Sequence, residues 1–335
     1  MATAVDTNAP DAEVAEATLV EGAFYSSIDS CEQHLLALNS EGAVDYGKNG
    51  KFYVQYKPSP KTKYTMVAAG TQASYLLRDD GIIVRTVGSG ENCEISPPEK
   101  VKYTQVSSGY SASYFLRDDG KVDRTKGSGK IELTMEPPAQ AKYVQIVAGH
   151  VNSFFLRDDG VVDFSSGHGK IKGSIDCKDD GVTYINISEQ SMGITTDKTD
   201  TNPYQIYFIR SDGSADKFST KHFGQKDALI GNVKCNNTTS ADVKYISGST
   251  CAYATYLLRS DGAVDRITSG TAVAQTMNPP PNQRYTIVSA GNSASYLLRS
   301  DGKIDRTTGS GVVNSTLNAP AELKKAGKSS SCCIL

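Results

Sequence analysis

Apolar residues along this chain come in short runs of four to six, broken by Gly, Asp, Ser and Pro. In the stretch Tyr103 to Gly120, Val106 ends one run and Tyr114, Phe115 and Leu116 form the next, followed by Arg117-Asp118-Asp119-Gly120 and then Val122. Such runs predict strands. No window of a dozen residues within the repeating part keeps a 3.6-residue period, which disfavours helices. Asp-Asp-Gly between two apolar runs predicts a three-residue hairpin loop whose last position needs positive φ, open to Gly without a Cβ penalty. That loop sets Leu116 opposite Val122 and Phe115 opposite Asp123. Alternation then places Tyr114, Leu116, Val122 and Arg124 on one face, and Phe115, Arg117, Lys121 and Asp123 on the other.

The unit recurs. Tyr25, Tyr64, Tyr103, Tyr143, Tyr184, Tyr245 and Tyr285 are each followed by a turn glycine: Gly42, Gly81, Gly120, Gly160, Gly213, Gly262 and Gly302. The offset is seventeen residues in every pair except Tyr184–Gly213. A period near 40 residues of strand-only units, apolar on both faces, predicts a seven-bladed β-propeller of small stacked sheets. The all-β ring is expected over 23–320, with an acidic flexible tail at 1–22 and a second flexible tail at 321–335.

The pattern Tyr-x-x-Val-x-x-Gly, then Ser-x-x-Leu-Arg-x-Asp-Gly-x-Val, resembles the repeats of regulator-of-chromosome-condensation-like propellers, over roughly Phe24 to Pro320. The family's usual Trp-Gly beyond the turn is missing. The chain has no Trp, and Asp123-Arg124-Thr125, Asp265-Arg266-Ile267 and Asp305-Arg306-Thr307 stand there instead. The resemblance implies a binding propeller, with regulation of a small GTPase, including nucleotide exchange, as an alternative. A substrate-recognition module of a ubiquitin ligase assembly is a further one.

Two charged series run through the units. Arg78, Arg117, Arg157, Arg210, Arg259 and Arg299 sit just before the turn, and Asp45, Asp123, Asp163, Asp216, Asp265 and Asp305 lie three residues after its glycine. Arg117 and Asp123 are diagonal neighbours on one face, as are the later pairs. Repetition favours a structural salt bridge at each blade interface over a binding site. The second series, Arg85, Arg124, Arg266 and Arg306, is interrupted by Tyr46, Phe164 and Lys217, and is the better candidate for an uneven partner-binding surface.

Unit five breaks the pattern, with extra residues over roughly 189–202 and more within 218–242. Loops on a rigid scaffold carry function, so Met192, Ile194, His222 and Phe223 are candidate partner contacts. These insertions flank a hairpin and need not share one face of the ring.

No nucleophile elbow, His-x-x-x-His pair or calcium-loop spacing occurs, so no catalytic residue, metal site or cofactor is expected. A net charge of −2 gives no general draw to nucleic acid. Seven cysteines at irregular spacing are expected to be reduced thiols of a cytosolic protein. The chain ends Cys332-Cys333-Ile334-Leu335, matching a prenylation box with Cys332 as acceptor and a terminal Leu that favours geranylgeranyl. Lys324, Lys325 and Lys328 precede it, a basic stretch suited to an anionic leaflet. The expectation is therefore a monomeric, non-enzymatic scaffold in the cytoplasm, held peripherally at membranes.

Overall fold

The computed structural model describes residues 24–31, 34–87, 90–110, 112–126, 129–149, 152–166, 169–177, 181–190, 204–220, 228–233, 242–251, 253–268, 271–308, 311–320, 324–325 and 327–328. Seven small antiparallel sheets form a seven-bladed β-propeller. Each takes its four main strands, in order, from one continuous stretch. Blade 3, for example, is Tyr103–Ser108, Ser113–Arg117, Val122–Thr125 and Ile131–Met135.

The hairpin register follows the turn chemistry. Leu116 faces Val122 and Phe115 faces Asp123, while the Gly120 N–H donates to the Arg117 carbonyl at 3.0 Å with Gly120 at φ +84°. The loop is also held from outside. Asp119 Oδ1 accepts the Lys121 N–H at 3.1 Å, and the Arg117 guanidinium closes on the same carboxylate.

The core is divided among the seams between blades. One cluster joins Tyr75, Leu77 and Ile83 of blade 2 to Tyr103, Val106 and Phe115 of blade 3. Another joins Tyr114, Leu116 and Val122 of blade 3 to Tyr143, Ile146 and Phe155 of blade 4. Both faces of a blade are apolar because each packs on a neighbour. The last seam brings Tyr25, Ile28 and Leu35 of blade 1 against Tyr296, Leu298 and Ile304 of blade 7.

The repeated Arg–Asp pair forms, but as a correction it joins strands of one blade and does not link two. Asp123, 1 % exposed, accepts the Tyr103 hydroxyl at 2.9 Å and the Thr134 hydroxyl at 2.6 Å, with Arg117 Nη1 at 3.7 Å. These groups come from all four strands of blade 3. Asp265 gathers Tyr245, Thr276 and Arg259 in the same way, and Asp305 gathers Tyr285, Thr316 and Arg299. A buried carboxylate needs such donors, since an unpaired one would carry its full desolvation cost. In blade 2 the Asp is replaced by Val84, and Arg78 turns to Glu94 on the outermost strand at 2.7 Å.

The links between blades are made by the backbone and by glycine. The Tyr64 N–H donates to the Gly42 carbonyl at 3.0 Å, and Tyr143, Tyr245 and Tyr285 do likewise to Gly120, Gly213 and Gly262. Each turn glycine thus serves the tyrosine of the following blade. The Tyr25 N–H closes the ring on the Gly302 carbonyl at 3.0 Å.

Candidate functional site

The innermost strands surround a cavity of about 270 Å³, lined from all seven blades by residues such as Asp29, Met66, Gln105, Gln145, Asn186 and Ile287. Its polar side chains bind the wall together. The Gln105 amide spans to blade 4, accepting the Ile146 N–H at 2.9 Å and donating to its carbonyl at 3.2 Å. Ser107 accepts the Ala148 N–H and Ser249 the Ala290 N–H. Asp29 stands where the ring closes. Its carboxylate accepts the N–H groups of Ala69 and Ser30 and the Ser289 hydroxyl, at 2.7, 2.8 and 3.1 Å. Burial pushes its pKa up to about 6 against the pull of those donors. Among the described residues no group of three His, Cys, Asp or Glu is placed to hold a metal ion.

The second arginine series lies in the seams. Arg124 is 3 % exposed and bonds Glu132 of its own blade at 2.8 Å. Arg85, Arg266 and Arg306 are half-buried. Each runs beside a positive-φ glycine of the next blade: Arg85 by Gly129, Arg124 by Gly169, Arg266 by Gly311 and Arg306 by Gly50. A Cβ on Gly169 would sit 2.8 Å from Arg124 Cδ, and one on Gly311 2.8 Å from Arg266 Cδ. Glycine here admits both the turn and the arginine stem. Where the series lapses, Phe164 packs with Phe154 and Phe218, and Tyr46 stacks on His34. Buried Lys217 has its pKa lowered by desolvation, and burial followed by the charge of Lys48 lowers His34 to about 4.

Met192, Ile194, His222, Phe223 and Cys332 lie outside the described residues. Their attachment points are described. The segment 191–203 leaves after Glu189–Gln190, which pairs in parallel with Ser249 and Thr250 of blade 6, and returns at Tyr204. Tyr204 faces Thr220, after which 221–227 begins. Both connections therefore spring from the same end of blade 5, while 234–241 leaves from the other. Lys324 and Lys325 pair in parallel with Val54 and Gln55 on the outermost strand of blade 1, and Lys328 with Glu91 on that of blade 2. The expectation of seven reduced thiols is corrected at one position. Cys93 is disulfide-bonded, while Cys31, Cys177 and Cys251 are free.

One surface escaped the sequence reading. The residue after each repeat tyrosine is Ser26, Thr65, Thr104 and Thr286 in four blades, where its hydroxyl donates to the carbonyl of Leu38, Leu77, Leu116 or Leu298 across the hairpin. In blades 4, 5 and 6 it is Val144, Ile185 and Ile246, exposed by 50, 51 and 46 %. Single exposed aliphatics are ordinary, but three at equivalent places in consecutive blades make an arc. The signal was present as an alternation of Ser/Thr with Val/Ile at one repeat phase.

A closed ring with a polar-lined axis and an apolar arc at one end defines a propeller of the binding type in its geometry. No protein-family model matches the chain, and neither does any curated protein. Solved structures similar to it include human WBSCR16, 15 % identical over 77 % of this chain and 80 % of that one with a TM-score of 0.56. Prp20p from Saccharomyces cerevisiae, described with its binding to Gsp1p and histones, is 13 % identical over 79 and 80 % with a TM-score of 0.54. The β-propeller domain of Cps50 (Swd1) from Myceliophteria thermophila is 7 % identical over 87 and 98 % with a TM-score of 0.63. At these identities the likeness is one of fold.

Proposed function

We propose that the protein is a non-enzymatic, protein-binding propeller scaffold, tethered to membranes through geranylgeranyl on Cys332. The observation that carries the binding reading is the arc of Val144, Ile185 and Ile246, which forgoes the hydroxyl-to-carbonyl bond made in the other four blades and leaves apolar surface in water. A partner presenting an apolar patch would remove that surface from solvent. The membrane reading draws on the Cys-Cys-Ile-Leu terminus and the lysines before it. The test replaces the arc by the residues its sister blades use. Val144→Thr/Ile185→Thr/Ile246→Thr should keep the folded stability of the parent and lose partners recovered by affinity capture from the native host. Unchanged capture overturns the assignment of the arc.

A second reading is regulation of a small GTPase. It rests on the repeat resemblance and on the binding of Gsp1p stated for the neighbour Prp20p. A nucleotide-release assay of the purified chain against a panel of small GTPases decides it, and no stimulation leaves the scaffold.

A further inference from the structure

Cys93 is disulfide-bonded and three other cysteines are free thiols. The partner of Cys93 is therefore Cys235, Cys332 or Cys333, all outside the described residues. Topology separates them. Cys93 lies on the outermost strand of blade 2, Gly90–Ile95, whereas Cys235 follows Val233 of blade 5, with blades 3 and 4 between. The C-terminal segment comes to blade 2 itself. Gly327 pairs with Gly90 and Lys328 with Glu91, in parallel, so the chain is heading toward Cys93. At about 3.3 Å per residue, Cys93 lies roughly 7 Å beyond Glu91, and the chain from Lys328 to Cys332 extends up to roughly 13 Å. That is ample for the Cα separation of about 5.5 Å that a disulfide needs.

We propose that the C-terminal segment is a redox-operated clasp: a disulfide from Cys93 to Cys332 or Cys333 holds it across blades 1 and 2, and the clasped chain cannot be prenylated. The clasp stands on the pairing and the cysteine chemistry. The exclusion rests also on the lipid reading above. The segment leaves blade 7 after Pro320, pairs with blade 1 at Lys324–Lys325 and with blade 2 at Gly327–Lys328. It thus crosses the seam where the ring's first and last blades meet. Two residue pairs at each stop hold little alone, and the covalent link makes the docking permanent while it lasts.

Closure needs an oxidant, and a low-molecular-weight disulfide such as glutathione disulfide balances it. The Cys93 thiolate attacks one sulfur and releases a glutathione thiolate. The tail thiolate then attacks the Cys93 sulfur of the mixed disulfide and releases the second. The two protons from the cysteines end on the two glutathione thiols, and excess reduced glutathione reverses the sequence. Prenylation alkylates the Cys332 sulfur. If Cys332 is the partner, no thiol is left to alkylate. If Cys333 is the partner, maturation removes it with Ile334 and Leu335. In either case lipid and clasp are alternative states of one tail.

The full chain, produced in bacteria and poised at several ratios of reduced to oxidised glutathione, is alkylated and digested with trypsin without reduction. The expected product joins peptide 86–100, which carries Cys93, to peptide 329–335, and the variants C332S and C333S name the partner. Cys93 alkylated at every ratio, or joined to a peptide containing Cys235, overturns the clasp. Geranylgeranyltransferase and labelled geranylgeranyl diphosphate then test the exclusion. Label is lost in the oxidised wild type and retained in the reduced wild type and in Cys93→Ser under both poises. Equal labelling of oxidised and reduced wild type overturns the exclusion. No label in reduced wild type or C93S sinks the lipid reading and the exclusion with it, while the linked peptide alone still upholds the clasp.

Discussion

Replacing Gly302 by Ala should open the ring at its closure. Two costs add. Gly302 has φ +75°, a left-handed conformation that costs an L-residue with a Cβ about 1–2 kcal/mol. The new Cβ would also lie 2.2 Å from Phe24 Cβ, 3.0 Å from Phe24 Cα and 3.1 Å from the Tyr25 nitrogen. Those atoms belong to the entry strand of blade 1 and include its backbone, so the clash is relieved only by parting the two blades. Such overpacking costs about 1–3 kcal/mol. It also lengthens the 3.0 Å bond from the Tyr25 N–H to the Gly302 carbonyl. The sum is about 2–5 kcal/mol. Gly181 supplies the control: its φ is +77°, and a Cβ there would meet nothing within 4 Å. Gly181→Ala should therefore cost only the first part. Urea unfolding followed by circular dichroism gives both differences, and hydrogen exchange at the Tyr25 amide locates the damage. Equal losses in the two variants, or a Tyr25 amide that exchanges no faster in Gly302→Ala, would refute the assignment of this glycine to ring closure.

Tyr103→Phe removes one donor from buried Asp123 and should cost about 1–3 kcal/mol in urea unfolding. Arg124 and Lys126 both approach Glu132, at 2.8 and 3.6 Å, but Arg124 is 3 % exposed and Lys126 55 %. Arg124→Ala should therefore destabilise by about 2 kcal/mol, as loss of a buried pair and of packing against Gly169, and Lys126→Ala by less than about 0.5 kcal/mol. Equal effects would mean that the arginine series is surface. Asp29 has a folded pKa raised from 3.8 to about 6. Through that window the native state keeps a proton that the unfolded chain releases, so stability should fall as pH rises from 4 to 6, by at most roughly 3 kcal/mol from this group. Asp29→Asn should flatten that part of the profile, and an unchanged slope between those pH values would remove Asp29 as its source.

What the sequence made legible was what lies inside one unit. The Asp-Asp-Gly loop fixes register over a few residues, so the opposition of Phe115 to Asp123 and the diagonal approach of Arg117 could be read directly. The relations between units could not. A seventeen-residue interval reads as a link between Tyr103 and Gly120, whereas the Gly120 carbonyl serves Tyr143 of the next blade. Periodicity gives the content of a unit but not which copy an atom meets. Arg124 was misjudged for the same reason: its irregular recurrence looked like surface, and only the placement of Gly169 without a Cβ shows where its stem lies. The segment 324–328 carries no strand pattern, because two residues of main-chain pairing at each blade need no particular side chains.

The departures from repetition also have an order around the ring. Val144, Ile185 and Ile246, and the long connections of blade 5, belong to blades 4 to 6. The C-terminal segment pairs with blades 1 and 2. Blade 3 on one side and blade 7 on the other, each of ordinary length and without an aliphatic in the arc, stand between. A partner held at the arc and a tail released from blades 1 and 2 would thus use different sectors of one rigid scaffold, so binding need not await release of the tail. Partner capture by Cys93→Ser should equal that of the oxidised wild type, and capture that rises when the disulfide is removed would show instead that the two sectors are coupled.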